Sequence, residues 1–170
     1  MIRQWKTLIG QFVLILTLFS LISACGFQLR GIQDVSEDKK LVTLIPGNTN
    51  NQLLRSLRQN MKFNGISEID NANYQIRLSN FRYKRRAATI SSSADVDEYE
   101  ISAEVTMLIT DKQGQPLTQS IKIQRERIYT YDTDAAAASS EQEELLRGEL
   151  YDSIAQTILR RYLASNNKSE

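Results

Sequence analysis

The chain has 170 residues, with 21 basic and 20 acidic side chains, a formal net charge of +1 and no histidine. So even a balance argues against a general nucleic-acid binder, which needs a basic excess. The missing histidine removes Ser-His-Asp and Cys-His catalysis and histidine metal ligation together. With no glycine-rich phosphate loop and no GxSxG, no catalytic residue, metal ligand or enzymatic role is expected.

The chain opens with Arg3 and Lys6, continues through the apolar run Leu8 to Ala24, and ends that run on the small residues Ser23 and Ala24. This is the layout of a secretory signal. The alternative, a retained transmembrane helix, needs about 20 apolar residues. Here Gly10, Gln11, Thr17, Ser20 and Ser23 interrupt the run, and no basic stop-transfer cluster follows. Ile22-Ser23-Ala24-Cys25 resembles a bacterial lipobox, in which a diacylglycerol is attached to the thiol and the signal is cut just before it. Cys25, the sole cysteine, is therefore the expected lipid-attachment residue, carrying a covalent diacylglycerol and an N-acyl chain and leaving no thiol for a disulfide. No other cofactor is expected. Each buried CH₂ contributes about 0.8 kcal/mol, so three acyl chains make release from a bilayer negligible. The same resemblance implies the outer membrane, because Gly26 stands where an Asp usually signals inner-membrane retention.

The expected organisation is a cleaved signal at 1–24, a lipidated N-terminus and polar tether at 25–40, one domain at 41–164 and a flexible tail at 165–170. Removing the signal leaves 146 residues with 19 basic against 20 acidic side chains, the size of a single domain with a real core.

Leu41 to Pro46 reads as a short buried strand closed by Pro-Gly. Asn50 can cap a helix that runs to Asn64, with Leu53, Leu54, Leu57 and Met61 on one face and Gly65 as its stop. In the next strand Tyr74, Ile76 and Leu78 share one face, but the following apolar residues, Phe81 and Tyr83, are at odd numbers. A bulge near Ser79 and Asn80 is predicted, since a one-residue shift flips every later side chain. After the serines at 91–93, Tyr99, Ile101, Ala103, Val105, Met107 and Ile109 alternate with polar residues, and Asp111 to Gly114 makes a turn. A further strand runs from about Leu117 to Tyr131, with Ile121, Ile123, Tyr129 and Tyr131 on one face. Arg125 and Arg127 interrupt that face, which suggests that their end of the sheet lies outside the domain's own core. Ser140 with Glu143 matches a capping box, and Leu146, Leu150, Ile154, Ile158 and Tyr162 continue the last helix. The fold class is α+β, a two-layer sandwich in order β-α-β-β-β-α. Two helices cover one face of a four-stranded mixed, mostly antiparallel sheet and leave the other face polar.

The densest basic run is "FRYKRR", residues 81–86. After the bulge, Arg82, Lys84 and Arg86 should share the outward face, with Phe81 and Tyr83 inward. Pairing inward with inward residues sets Arg82 beside Glu104 and Arg86 beside Glu100, as cross-strand ion pairs worth about 0.2–1 kcal/mol each. The second reading is an anionic lipid headgroup, whose phosphates suit arginine's fork of donors. Both stay open.

"CGFQLRG" from Cys25, "NG" closing the first helix, "DEYEI" opening the central strand and "ELYDSIAQTILRRYL" in the last helix resemble, in order and spacing, the LPS-assembly lipoprotein family, LptE. The resemblance implies two helices on a four-stranded sheet. It also implies a protein that plugs the large outer-membrane β-barrel translocon (LptD-like), assists its assembly and contacts lipopolysaccharide. The partners would be that barrel, lipopolysaccharide and the membrane through the lipid anchor, with no nucleic acid. Arg125 and Arg127 would then face the polar barrel lumen. Some relatives are basic at the hairpin tip and before the last helix, where this chain has Ser91 to Ser93 and Ala135 to Ser140. Lipopolysaccharide contact is therefore assigned to Arg82, Lys84, Arg85 and Arg86. Two other readings stand beside this one. One is an envelope adaptor or secretion pilot with the same anchor. The other is a hydrolase with a Ser-Lys dyad at Ser91, Ser92 or Ser93, although serines between two strands are more often a turn.

Overall fold

The computed structural model describes residues 35–90 and 95–165. Cys25, the signal, the serines at 91–93 and the tail beyond 165 lie outside the described residues.

The elements run β1 (Leu41–Ile45), α1 (Asn51–Phe63), β2 (Ser67–Glu68), β3 (Tyr74–Ile90), β4 (Val96–Asp111), β5 (Ile121–Thr130) and α2 (Ala136–Ala164). They form one mixed sheet in the order β2-β1-β3-β4-β5. β1 pairs parallel with β2 and β3, while β3–β4 and β4–β5 are antiparallel. Both helices lie on one face, as expected for α+β. The sheet has five strands rather than four. The extra strand is two exposed residues, too short to carry any alternation. Backbone bonds hold it, from Ser67 N to Lys40 O (2.8 Å) and from Ile69 N to Val42 O (2.9 Å), and Glu68 pairs with Arg58 at 2.7 Å.

α1 begins where Asn50 Oδ1 accepts the amides of Gln52 (2.7 Å) and Leu53 (3.4 Å), two donors with no partner inside the helix. It ends at Gly65, whose φ of +71° a side-chain-bearing residue rarely adopts. Its buried stripe is Leu53, Leu54, Leu57 and Met61, the expected one. Opposite lie Ile101, Ala103, Val105, Met107 and Ile109 of β4 and Leu150, Ile154, Ala155, Ile158 and Tyr162 of α2, all buried.

Two boundaries differ from expectation. α2 starts at Ala136 rather than at Ser140, because the alanines are the best helix formers and need no capping side chain. Ser140 Oγ instead donates to Ala136 O at 2.9 Å. β5 starts at Ile121 rather than near Leu117, because Thr118 Oγ1 accepts the Ile109 amide (3.3 Å) in place of a ladder carbonyl.

Residues 35–40, read with the tether, pack onto the domain. Val35 joins the core, and Lys39 is only 7% exposed. The Lys39 ammonium donates to the backbone oxygens of Tyr162 (3.4 Å), Leu163 (3.0 Å) and Ser165 at the end of α2. In return the Tyr162 hydroxyl donates to Lys39 O at 3.0 Å.

Candidate functional site

The bulge occurs where the change of phase predicts it. The β3–β4 register shifts between Ser79 and Arg82, and Asn80 takes a φ of +52°. The β1–α1 turn braces it, because Asn48 Oδ1 accepts the Phe81 amide at 3.4 Å. A Cβ on Gly47 would come within 2.3 Å of Leu78 O, so no larger residue fits there. Beyond the bulge Phe81 and Tyr83 turn toward α2, where both rings meet Tyr151 edge-on at 5.9 and 6.4 Å. Arg82, Lys84 and Arg86 turn outward.

Three rows cross the outer face. Arg82, Glu104 and Gln124 form one, Lys84, Ser102 and Glu126 the next, and Arg86, Glu100 and Ile128 the third. The expected cross-strand pairs are present. Arg86 grips Glu100 through two bonds of 2.9 and 2.6 Å, and Arg82 reaches Glu104 at 3.8 Å. Lys122 also binds Glu104, at 2.5 Å. That hydrogen bond is the largest of the influences holding the Glu104 carboxyl below the usual carboxylate range. Because Ser102 is small, the rows enclose a groove of about 680 Å³, lined by Arg82, Lys84, Arg86 and Lys122 against Glu100, Glu104 and Glu126.

Arg85 belongs to the other face. Its guanidinium lies 3.5 Å from the centre of the Tyr99 ring. Its Nε donates to the Tyr129 hydroxyl at 2.9 Å and pairs with Glu143 of α2 at 3.0 Å. Glu143 also accepts the Tyr129 hydroxyl and the Tyr83 hydroxyl at 3.1 Å. Burial, with the Glu143 charge second, pushes the Tyr83 phenol up to about 12. Arg85 is thus a tie between sheet and helix, and of the four residues assigned to lipopolysaccharide contact only Arg82, Lys84 and Arg86 come together. The alternation that turns Phe81 and Tyr83 inward also turns Arg85 inward.

Arg125 lies on the helix side of β5 and donates to Ser153 Oγ (3.3 Å) and Thr157 Oγ1 (2.9 Å) of α2. Arg127, two residues along, is half-buried and donates to Glu126 O at 2.9 Å. Lys122 and Glu126 were missed from sequence, although they alternate with Ile121, Ile123 and Arg125 and so belong to the outer face. Among the described residues no helix is long and apolar enough to cross a membrane.

A curated relative, the LPS-assembly lipoprotein LptE of Pectobacterium atrosepticum, is 25% identical over 94% of this chain and 88% of its own length. Two crystal structures share the fold. A minor lipoprotein of Acinetobacter baumannii has a TM-score of 0.63 at 25% identity, covering 74% of this chain and 92% of that one. The rare lipoprotein B of Shewanella oneidensis has a TM-score of 0.62 at 26% identity, covering 71% and 92%. The model of the LptE lipopolysaccharide-assembly family matches residues 40–162, from the lysine before β1 to the tyrosine that closes the core, and the chain belongs to that family.

Proposed function

We propose that this protein is held in the outer membrane by acyl chains on Cys25, and that it plugs and helps assemble a β-barrel lipopolysaccharide translocon of the LptD kind. A role in lipopolysaccharide assembly and transport comes with the family. The observation that carries the reading is the match over residues 40–162, which takes in every strand, α1 and all but the last two residues of α2. The role is one of binding and fit, not of catalysis. A sheet whose outer face is covered by charged rows suits a polar, wet barrel lumen. Arg82, Lys84 and Arg86 are the residues for lipopolysaccharide phosphates, while Arg127, at the sheet's β5 edge, and its neighbour Arg125 are the residues nearest a barrel wall.

The test is a mild-detergent pull-down from native membranes with the full chain tagged at its C-terminus. A stoichiometric outer-membrane β-barrel is the expected co-purifying protein. Its absence, with Cys25 shown to be acylated, would overturn the plug reading in favour of another envelope adaptor. Replacing Arg82, Lys84 and Arg86 by Gln together should weaken lipopolysaccharide binding without impairing barrel assembly. Unchanged binding would refute the assignment of those residues.

A further inference from the structure

The charges of the outer-face groove do not cancel evenly. Arg86 is matched by Glu100 through two hydrogen bonds, and Glu104 is shared by Lys122 and Arg82. The middle row keeps two charges without an ion pair among the described residues, Lys84 at one end and Glu126 at the other, with only the Ser102 hydroxyl between them. Both feel the ladder around them, since Lys84 helps to lower the Glu104 carboxyl and Glu126 helps to raise the Arg86 guanidinium. They stand two strands apart, about 10 Å between backbones. That is too far for them to meet directly, and it leaves a charged slot floored by a hydroxyl.

A bare phosphate satisfies only half of this slot. Lys84 and Arg82 would attract it and Ser102 could donate to it, but Glu126 would repel it. A phosphate that carries a primary amine on a short spacer satisfies both ends, with its anionic oxygens at Lys84 and Ser102 and its ammonium at Glu126. We propose that the groove selects aminoalkyl phosphate headgroups, of the phosphoethanolamine type, over phosphates without an amine. This rests on the reading of Arg82, Lys84 and Arg86 as a phosphate-binding face and adds to it a partner for the ammonium.

Two sources present this chemistry, a phosphoethanolamine-decorated lipopolysaccharide and a phosphatidylethanolamine of the bilayer. Soluble probes avoid interference from the protein's own anchor. The full chain in detergent micelles is titrated with glycerophosphoethanolamine and with glycerophosphoglycerol, a diester of the same phosphate charge without an amine, following the amide resonances of residues 82–86, 100–104 and 122–126 by NMR. The expected preference for the aminoalkyl probe is up to about fivefold, the range of one solvent-exposed ion pair. Glu126→Gln should abolish it by removing the partner of the ammonium, and Lys84→Gln should weaken both. Equal binding of the two probes, unaffected by Glu126→Gln, would overturn this inference and leave the phosphate-binding reading intact. Binding of neither probe, in wild type and variants alike, would overturn both. Competition by decorated against undecorated lipopolysaccharide, and by short-chain phosphatidylethanolamine, then tells the two sources apart.

Discussion

Replacing Lys39 by Met keeps the apolar stem and removes the ammonium from the end of α2. The backbone oxygens of Leu163 and Ser165 lose the ammonium as donor, Tyr162 O keeps only the amide and hydroxyl of Ser165, at 3.2 and 2.6 Å, and the negative end of a helix of 29 residues loses its cation. Hydrogen bonds to a charged group contribute about 1.5–3 kcal/mol, and a cation at a helix C-terminus about 0.3–1 kcal/mol. The Tyr162 ring, 6.0 Å from the ammonium, adds about 0.5–1 kcal/mol. These contributions overlap, and burial, which lowers the Lys39 pKa, offsets part of them. The expected loss is therefore about 2 kcal/mol. A domain of this size loses about 3–5 °C of Tm per kcal/mol, so Lys39→Met should melt about 6–10 °C lower by circular dichroism of the full chain in detergent. Lys40, half-exposed and paired with Glu37 at 2.5 Å, is the control, and Lys40→Met should shift Tm by less than about 2 °C. Equal shifts for the two variants would refute the reasoning, because the lysine at 39 would then behave as a surface charge.

Glu143→Gln removes the charge and one of the two acceptor oxygens that serve Arg85, Tyr129 and Tyr83 and should cost about 1–3 kcal/mol in urea denaturation. A double-mutant cycle with Arg85→Gln should give a coupling above about 0.5 kcal/mol, and a coupling near zero would argue against the tie. Gly148→Ala should stabilise by about 0.5–1 kcal/mol, since the new methyl meets only the end of the Gln52 side chain at 3.8 Å. A lower Tm would mean that the helices cannot accept it. Burial raises the phenol pKa of Tyr83, Tyr129, Tyr151 and Tyr162. The folded state holds those protons longer than the unfolded chain, so their stabilisation is complete below about pH 10 and is lost as pH rises toward the folded values. Urea midpoints should fall between about pH 10 and pH 12, less so in Tyr83→Phe, and a rising midpoint would contradict the assignment.

What the sequence made legible is what repeats. Alternation locates β3 and β4, the change of parity between Leu78 and Phe81 locates the bulge, and inward-to-inward pairing sets the Arg86–Glu100 contact. What it hid is what repeats nothing. β2 is two residues with no buried face, and the start of α2 is a run of alanines with no apolar stripe. Lys39 finds its partners more than a hundred positions away, at the far end of the chain. Arg85 was grouped by charge with its neighbours although its parity put it with the tyrosines. In this strand parity outweighs charge, because inverting β3 would bury Arg82 and Arg86 in place of Phe81 and Tyr83.

The bulge makes the length of β3 a matter of odd and even. Deleting Asn80 would leave the backbone able to pair without a kink, yet every residue from Phe81 onward would exchange faces. Phe81 and Tyr83 would then stand in the groove, and three cations would press against α2. The same holds for a single insertion between Leu78 and Phe81. Related chains that keep both faces should therefore differ in length across this stretch by two residues or not at all, a rule that acts on the gene as an arithmetic constraint and not as a preference for any particular amino acid.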